Sequence, residues 1–240
     1  MMQEEITEEL KFSVIAVLVF LLCLEQMKVR EVKAELLDGL APSHPHALAN
    51  RRDIRWINRM IGTHRWFGRA LKEAGDAGRM LELGAGQGTL SRFLKSHHLP
   101  SSEWHALDIQ TVPERVSDGI TWHHDNLTRF ENYAQFDVVF GNLILHQFKD
   151  DELQSLGQRL QAGPRVLIFQ ELWRRSIFYW GSFLLTLFMH PVTKHDARVS
   201  VRAGFRGIEL PELLDLDPLS WKIKMEYSLL GTYRMVALRI

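Results

Sequence analysis

Short apolar runs alternate with longer amphipathic stretches through most of this chain. Arg79-Met-Leu-Glu-Leu83, Trp104-His-Ala-Leu107, Ile120-Thr-Trp-His-His124, Phe136-Asp-Val-Val-Phe140 and Arg165-Val-Leu-Ile-Phe-Gln170 have strand length, and each gives way to Gly, Asp or Glu. Asp150 or Asp151 can cap a helix running to about Gln161, with Leu153, Leu156 and Leu160 on one face and Ala162-Gly-Pro164 as its stop. Before the first strand, Ala41–Asn50 reads as a linker and Asp53–Ile61 as an amphipathic helix. Gly62 breaks that helix, and Thr63 caps another over His64–Leu71. Pro211 opens a short helix, and Trp221–Tyr227 with Tyr233–Ile240 reads as a β-hairpin. Strands alternating with helices predict an α/β fold, a parallel sheet covered by helices on both faces.

The turn after the first strand carries the most chemistry. Glu82 lies inside the strand, and Gly84, Gly86 and Gly88 leave every second position of the loop without a side chain. Such a loop turns tightly and lets a ligand lie against its backbone. A dinucleotide fingerprint G-x-G-x-x-G would need glycine at position 89, which is Thr89. About twenty residues on, the second strand ends in Asp108, placed to accept from ribose hydroxyls. The third ends in Asp125-Asn126, and the fourth leads into Gly141-Asn-Leu-Ile-Leu-His-Gln-Phe148.

Glu82-Leu-Gly-Ala-Gly-Gln-Gly88 resembles the first motif of class I S-adenosylmethionine (SAM) dependent methyltransferases, and the later segments resemble that family's second to fourth motifs, covering roughly residues 79–171. The whole chain looks most like small-molecule enzymes of the ubiquinone/menaquinone-biosynthesis-like group. The resemblance implies a Rossmann-like sheet of seven strands with the last pair antiparallel, amino-terminal helices over the cofactor mouth, and a helical lid insert. It implies SAM as cofactor, held by Glu82, Gly84, Ala85, Gly86, Gly88, Asp108, Ile109, Asp125, Asn126 and Asn142. Asp125 would accept from the adenine amino group, with Trp122 or Leu127 packed on the ring. Amino-group methylases carry [DNS]-P-P-[YF] after the fourth strand; Asn142-Leu-Ile-Leu145 stands there instead, which leaves oxygen and carbon acceptors. A phenol or enol acceptor needs a base titrating near neutrality. His146 is the first candidate, followed by His195 and His64, although each single histidine also fits an ordinary structural hydrogen bond. Glu171, ending the fifth strand, can orient the substrate or the base.

Composition narrows the partners. The formal charge of the 240 residues is zero, so no global field draws the chain to nucleic acid. The single cysteine excludes an internal disulfide and suits a reducing, cytoplasmic setting. Eleven histidines are scattered without metal-ligand spacing, so no metal site is expected. Arg51, Arg52, Arg55, Arg59, Arg65 and Arg69 make the pre-strand helices basic, as a solvated face or an anion contact.

Two apolar stretches stand outside the minimal fold. Phe12–Leu24 would span about 20 Å as a helix, against roughly 30 Å of bilayer hydrocarbon. It reads as a membrane anchor, a buried or partner-binding helix, or extraneous translation ahead of a true start at Met27. If it inserts, Lys28, Arg30 and Lys33 place the catalytic domain in the cytoplasm. Ser176–Met189 belongs to an insert over residues 172–210 whose greasy character suggests an apolar acceptor, a membrane surface, or both. The chain thus divides into a hydrophobic segment 1–40, a linker with capping helices 41–78, and a catalytic domain 79–240. The alternatives are a non-catalytic SAM-fold partner at a membrane and a nicotinamide oxidoreductase, the latter opposed by Thr89 and Glu82.

Overall fold

The computed structural model describes residues 27–75, 78–99, 102–110 and 119–240. The Phe12–Leu24 run lies outside the described residues. Helix α1 (Pro45–Met60) and helix α2 (Thr63–Ala74) precede strand β1 (Arg79–Leu83). Helix α3 (Thr89–His97), β2 (Glu103–Asp108), β3 (Ile120–His124), β4 (Val138–Asn142), α4 (Asp150–Leu160) and β5 (Val166–Leu172) follow. The insert forms α5 (Ser176–Leu185) and α6 (Pro191–Ala203); α7 (Glu209–Leu213), β6 (Trp221–Tyr227) and β7 (Thr232–Arg239) close the chain.

The strands form one sheet in the order β3-β2-β1-β4-β5-β7-β6, parallel except for β7 and its pairings. Alternate residues feed opposite layers. Leu81, Leu83, Val139, Leu167 and Phe169 pack with Leu153, Leu156 and Leu160 of α4, whereas Met80, Phe140 and Ile168 pack with Trp66, Phe67 and Leu71 of α2 and Leu94 of α3. Both faces are therefore dry, as a parallel sheet requires. Strand β1 has β2 on one side and β4 on the other, so successive connections leave it in opposite directions. That reversal opens a crevice at the carboxyl ends of β1, β2 and β4, the place where ligands of such sheets bind.

Three local expectations change. The expected linker over residues 41–50 is mostly helix: α1 begins at Pro45, because His44 caps it by accepting from the His46 N–H (3.2 Å) and proline suits a first turn. Left-handed Gly62, not Thr63, precedes α2, which frees the Thr63 hydroxyl for a buried network described below. At α4 the cap position falls on Lys149, whose backbone N–H donates to Glu152 (2.9 Å), and Asp150 and Asp151 supply first-turn charge instead.

Candidate active site

The glycine loop is built by backbone conformation. Gly84, Gly86 and Gly88 all have positive φ (63°, 56° and 63°), a region that side-chain-bearing residues adopt only at a cost. A Cβ on Gly84 would run into Ile144, which is why the loop can press against the segment after β4. A Cβ on Gly86 would meet nothing within 4 Å, so this backbone faces open space. Half-buried Asp108 holds the loop: one carboxylate oxygen accepts from the Gly86 N–H (2.7 Å) and the other from the Gln110 N–H (2.7 Å). A carboxylate offers about four lone-pair sites, so each oxygen keeps one for a further donor.

Glu82 is spent inside the fold. It is buried, and one of its oxygens accepts from both the backbone N–H (3.0 Å) and the hydroxyl of Ser91 in the first turn of α3. Gly88 has no side chain to cap that helix, so the strand supplies the acceptor. Burial pushes the Glu82 carboxyl up to about 7 against the pull of the Ser91 bonds. An acid raised in the folded state costs stability once the unfolded chain ionises. The cost sets in above the ordinary value of 4.5 and is complete above about 7. Glu82→Gln keeps the acceptor without the charge, and should raise stability at pH 8 by roughly 1–3 kcal/mol with no gain below about pH 4.5. Urea unfolding at the two pH values measures this; a variant less stable at pH 8 would show that the carboxylate charge itself serves α3.

The remaining cofactor candidates spread along the same edge. Asp125 is exposed beside β2, its N–H bonded to the Asp108 carbonyl (3.1 Å), and one of its carboxylate oxygens accepts from the Asn126 N–H (2.7 Å). The Asn126 side chain turns inward on its own loop, accepting from Thr128 N–H and hydroxyl (2.9 Å each). Ala85 is buried, and Ile109 is exposed. Trp122 lies 3.5 Å from where a Gly88 Cβ would stand, and its buried indole N–H has no partner among the described residues. Leu127 is buried in the core instead.

At the floor, Asn142 belongs to a network that sequence reasoning missed. Gln170, fully buried, donates to Thr63 Oγ1 (2.7 Å) and Asn142 Oδ1 (2.8 Å) and accepts from Arg234 (2.8 Å). Asn142 in turn donates to Asn58 of α1 (3.2 Å). A glutamine among the apolar residues of β5 was the available signal. Leu143 follows with a positive φ of 54°, its N–H bonded to the Gln170 carbonyl (2.8 Å), strain of the kind that collects at functional sites. Arg51 of α1 reaches Gln110 (3.3 Å) just past β2 while Asn58 reaches the end of β4, so α1 lies across the crevice. Arg52, Arg55, Arg59, Arg65 and Arg69 are exposed.

His146 is buried between two carboxylates. Its Nδ1 lies 2.7 Å from Glu171 and its Nε2 3.3 Å from Glu35. The other Glu171 oxygen accepts from the backbone N–H groups of Ile144 (2.9 Å) and Leu145 (2.7 Å), which fixes the loop that carries the histidine. Glu35 also accepts from the Ser200 hydroxyl of α6. Burial alone would lower the ring's pKa, but Glu171 and Glu35 outweigh it and hold it up to about 10, so the ring is an imidazolium at neutral pH. Burial pushes the Glu35 carboxyl up, but the bond and charge of His146, with Ser200, outweigh it and leave it below the usual carboxylate range.

Glu35 arrives on a strap formed by residues 27–40. Arg30 donates to Asp150 (2.7 Å) and to the carbonyls of Ala203 (3.0 Å) and Phe148, and Asp196 accepts from the N–H groups of Leu36 (2.8 Å) and Leu37 (3.1 Å). Nothing in the strap's sequence announced this, because Glu35 meets His146 across 111 residues. Neither of the other two histidine candidates bonds to His146 among the described contacts. His195 is exposed on α6 against Asp196 (3.0 Å), and His64 packs edge-on against Phe93 of α3 (4.5 Å). Among the described residues no group of His, Cys, Asp or Glu is arranged to hold a metal ion.

No protein-family model and no curated protein matches the chain. Solved structures do. The fold is similar to the plantazolicin methyltransferase BamL in complex with a triazolic desmethylPZN analog and SAH, with TM-score 0.65, 13% identity, and 82% of this chain and 92% of that one covered. It is similar to the plantazolicin methyltransferase BpumL in complex with SAH, with TM-score 0.64, 13% identity, and coverage of 82% and 91%. Human N-acetylserotonin methyltransferase in complex with SAM is a third, with TM-score 0.50, 15% identity, and coverage of 84% and 60%. The fold is therefore the Rossmann-like methyltransferase fold, its last strand pair antiparallel.

Proposed function

We propose that the protein is a SAM-dependent methyltransferase acting on oxygen or carbon of a small apolar, phenolic or enolic acceptor. The observation that carries this reading is the glycine loop at the switch point, where Gly86 presents bare backbone to open space beside Asp108. SAM fits the donor set. The free lone pairs of Asp108 suit a ribose diol, Asp125 keeps an oxygen for an adenine amino group, and Trp122 offers a ring face next to Gly88. The SAH- and SAM-bound structures of the same fold support the choice of cofactor. Glu82 supports this site through α3, where one of its oxygens accepts both bonds from Ser91.

SAM brings an electrophilic methyl group, which leaves the protein to align an acceptor and take its proton. For that proton we infer His146, oriented by Glu171. As an imidazolium held from both sides it cannot accept one, so the Nε2 proton must first pass to Glu35, which then leaves as a neutral acid and frees Nε2. An acceptor hydroxyl arriving in place of Glu35 would meet a ring whose pKa has lost one of its two supports.

Calorimetry with SAM, SAH and NAD tests the reading. We expect micromolar binding of the first two, none of NAD, and about tenfold or more weaker binding in Asp108→Ala, the loss of a charge-assisted acceptor. Unchanged affinity in a folded Asp108→Ala protein, or a preference for NAD, would overturn it. Incubating extracts with enzyme and SAM deuterated at the methyl group, followed by mass spectrometry, would identify the acceptor.

A further inference from the structure

Helix α5 is inside out. Its buried positions are Ser176 and Ser182, with Thr186 just past its end, while Ile177 (68% exposed), Leu184 (78%) and Phe188 (97%) face solvent together with Trp180, Phe183 and Leu187. Ile177, Trp180 and Leu184 recur at i, i+3 and i+7, so they share one face. A helix covering a soluble core does the reverse, turning its apolar stripe inward. The buried hydroxyls need no water, because Ser182 donates to the Tyr179 carbonyl (2.7 Å) and Thr186 to the Ser182 carbonyl (2.6 Å).

The apolar surface continues beyond the helix. Gly231 sits so close to Phe178 that a Cβ there would touch the ring (2.9 Å), and Trp173 packs on both Phe178 (5.3 Å) and Tyr227 (4.6 Å). These contacts bring the β6–β7 turn, with Leu229 97% exposed and Leu230 also exposed, beside the first turn of α5. Scattered exposed apolar residues are ordinary, but a contiguous patch of this kind marks a binding surface.

Cations line it. Lys194, Arg198 and Arg202 follow one another at four-residue spacing along α6. The Arg198 guanidinium lies 4.6 Å over the Phe183 ring, and that of Arg202 lies 4.7 Å over Tyr179. Arg175 stacks on Trp173 (4.7 Å) at the start of the helix. Residues 27–28 of the strap are held at this end. Buried Met27 has its carbonyl bonded to Arg174 (3.2 Å) and Arg206 (3.2 Å), and Arg174 stands two residues before α5.

We propose that this face docks the protein on an anionic lipid surface, α5 lying in the plane of the interface with Leu229 and Leu230 dipping in beside it. The proposal stands without the methyl-transfer reading. A helix packed on α5 would cover a strip about 10 Å wide and leave the β6–β7 turn bare, whereas a lipid surface meets both. Trp180 and Tyr179 have the apolar bodies and polar handles that settle at headgroup depth, and the flanking arginines suit phosphate. No described helix is long and apolar enough to cross a membrane.

The test is flotation of the full chain with vesicles of equal parts phosphatidylcholine and phosphatidylserine, and with phosphatidylcholine alone, at low salt. The expected result is flotation with the mixed vesicles, weaker with the neutral ones. It should fall on the order of tenfold in a protein carrying Ile177→Ser, Trp180→Ser, Leu184→Ser and Phe188→Ser. A second protein, Leu229→Asp with Leu230→Asp, should lose flotation independently and guards against misfolding of the first; circular dichroism checks both. Full-length protein that stays below the vesicles overturns the proposal. So does undiminished flotation of both variants, which would assign binding to Phe12–Leu24 alone. A concentration-dependent dimer in sedimentation, lost in the α5 variant while vesicles are ignored, would assign the face to a second copy of the chain.

Discussion

His146→Ala is expected to lower turnover about 10²–10⁴-fold, the usual worth of a positioned proton acceptor, and to destabilise the fold by about 3–5 kcal/mol. The second effect follows from burial alone. Removing the ring leaves Glu171 and Glu35 without the cation between them, at 0% and 10% side-chain exposure. The wild-type protein should show the same coupling with pH. A histidine raised to about 10 from 6.5 contributes stability that is fully present below about pH 6.5 and lost as pH rises through about 10. Urea unfolding across that range should show the decline, and His146→Ala should lack it. Stability and catalysis separate through Glu35→Gln. Taking away one of the carboxylates that raise the ring should move the acidic limb of the rate profile to lower pH if His146 is the base. An unmoved limb with unchanged turnover would leave His146 a structural cation, and would pass the base role to His195 or His64 or show that none is needed.

Gly86→Val should abolish SAM binding measurable by calorimetry while the protein stays folded. The position combines a φ of 56° with open space around the missing Cβ. A Cβ there meets no described neighbour within 4 Å, and the left-handed backbone costs about 1–2 kcal/mol or more for a β-branched residue. It would occupy the volume where a ligand must lie against the loop. Gly84→Val makes the control, because its side chain would collide with Ile144 and should lower stability whether or not a ligand binds. Binding that survives in Gly86→Val would move the cofactor away from this loop.

Much of this architecture was legible in local pattern. Apolar runs of strand length, glycines at alternating positions and acids at strand ends are local features, and local sterics and burial decide their outcome: five parallel strands, a tight loop of positive φ, and a hairpin. The identity of Asp108 as a strand-end acid close to the loop was readable for the same reason, since β2 follows β1 by one helix.

What Glu82 does was not readable, because an acid inside a strand looks the same whether it meets a ligand or caps the next helix, as this one does through Ser91. Nor were the partners of His146. Glu171 lies 25 residues away and Glu35 111, and only the packing of β5 and the strap brings their charges together out of water, where Coulomb attraction outweighs the cost of burial. The apolar insert was visible as composition, yet its hydrophobicity alone fits a core helix equally well. Only the tertiary structure decides that Ser182 and Thr186 face the protein while Leu184 and Phe188 face out, because which side of a helix is dry depends on what packs against it.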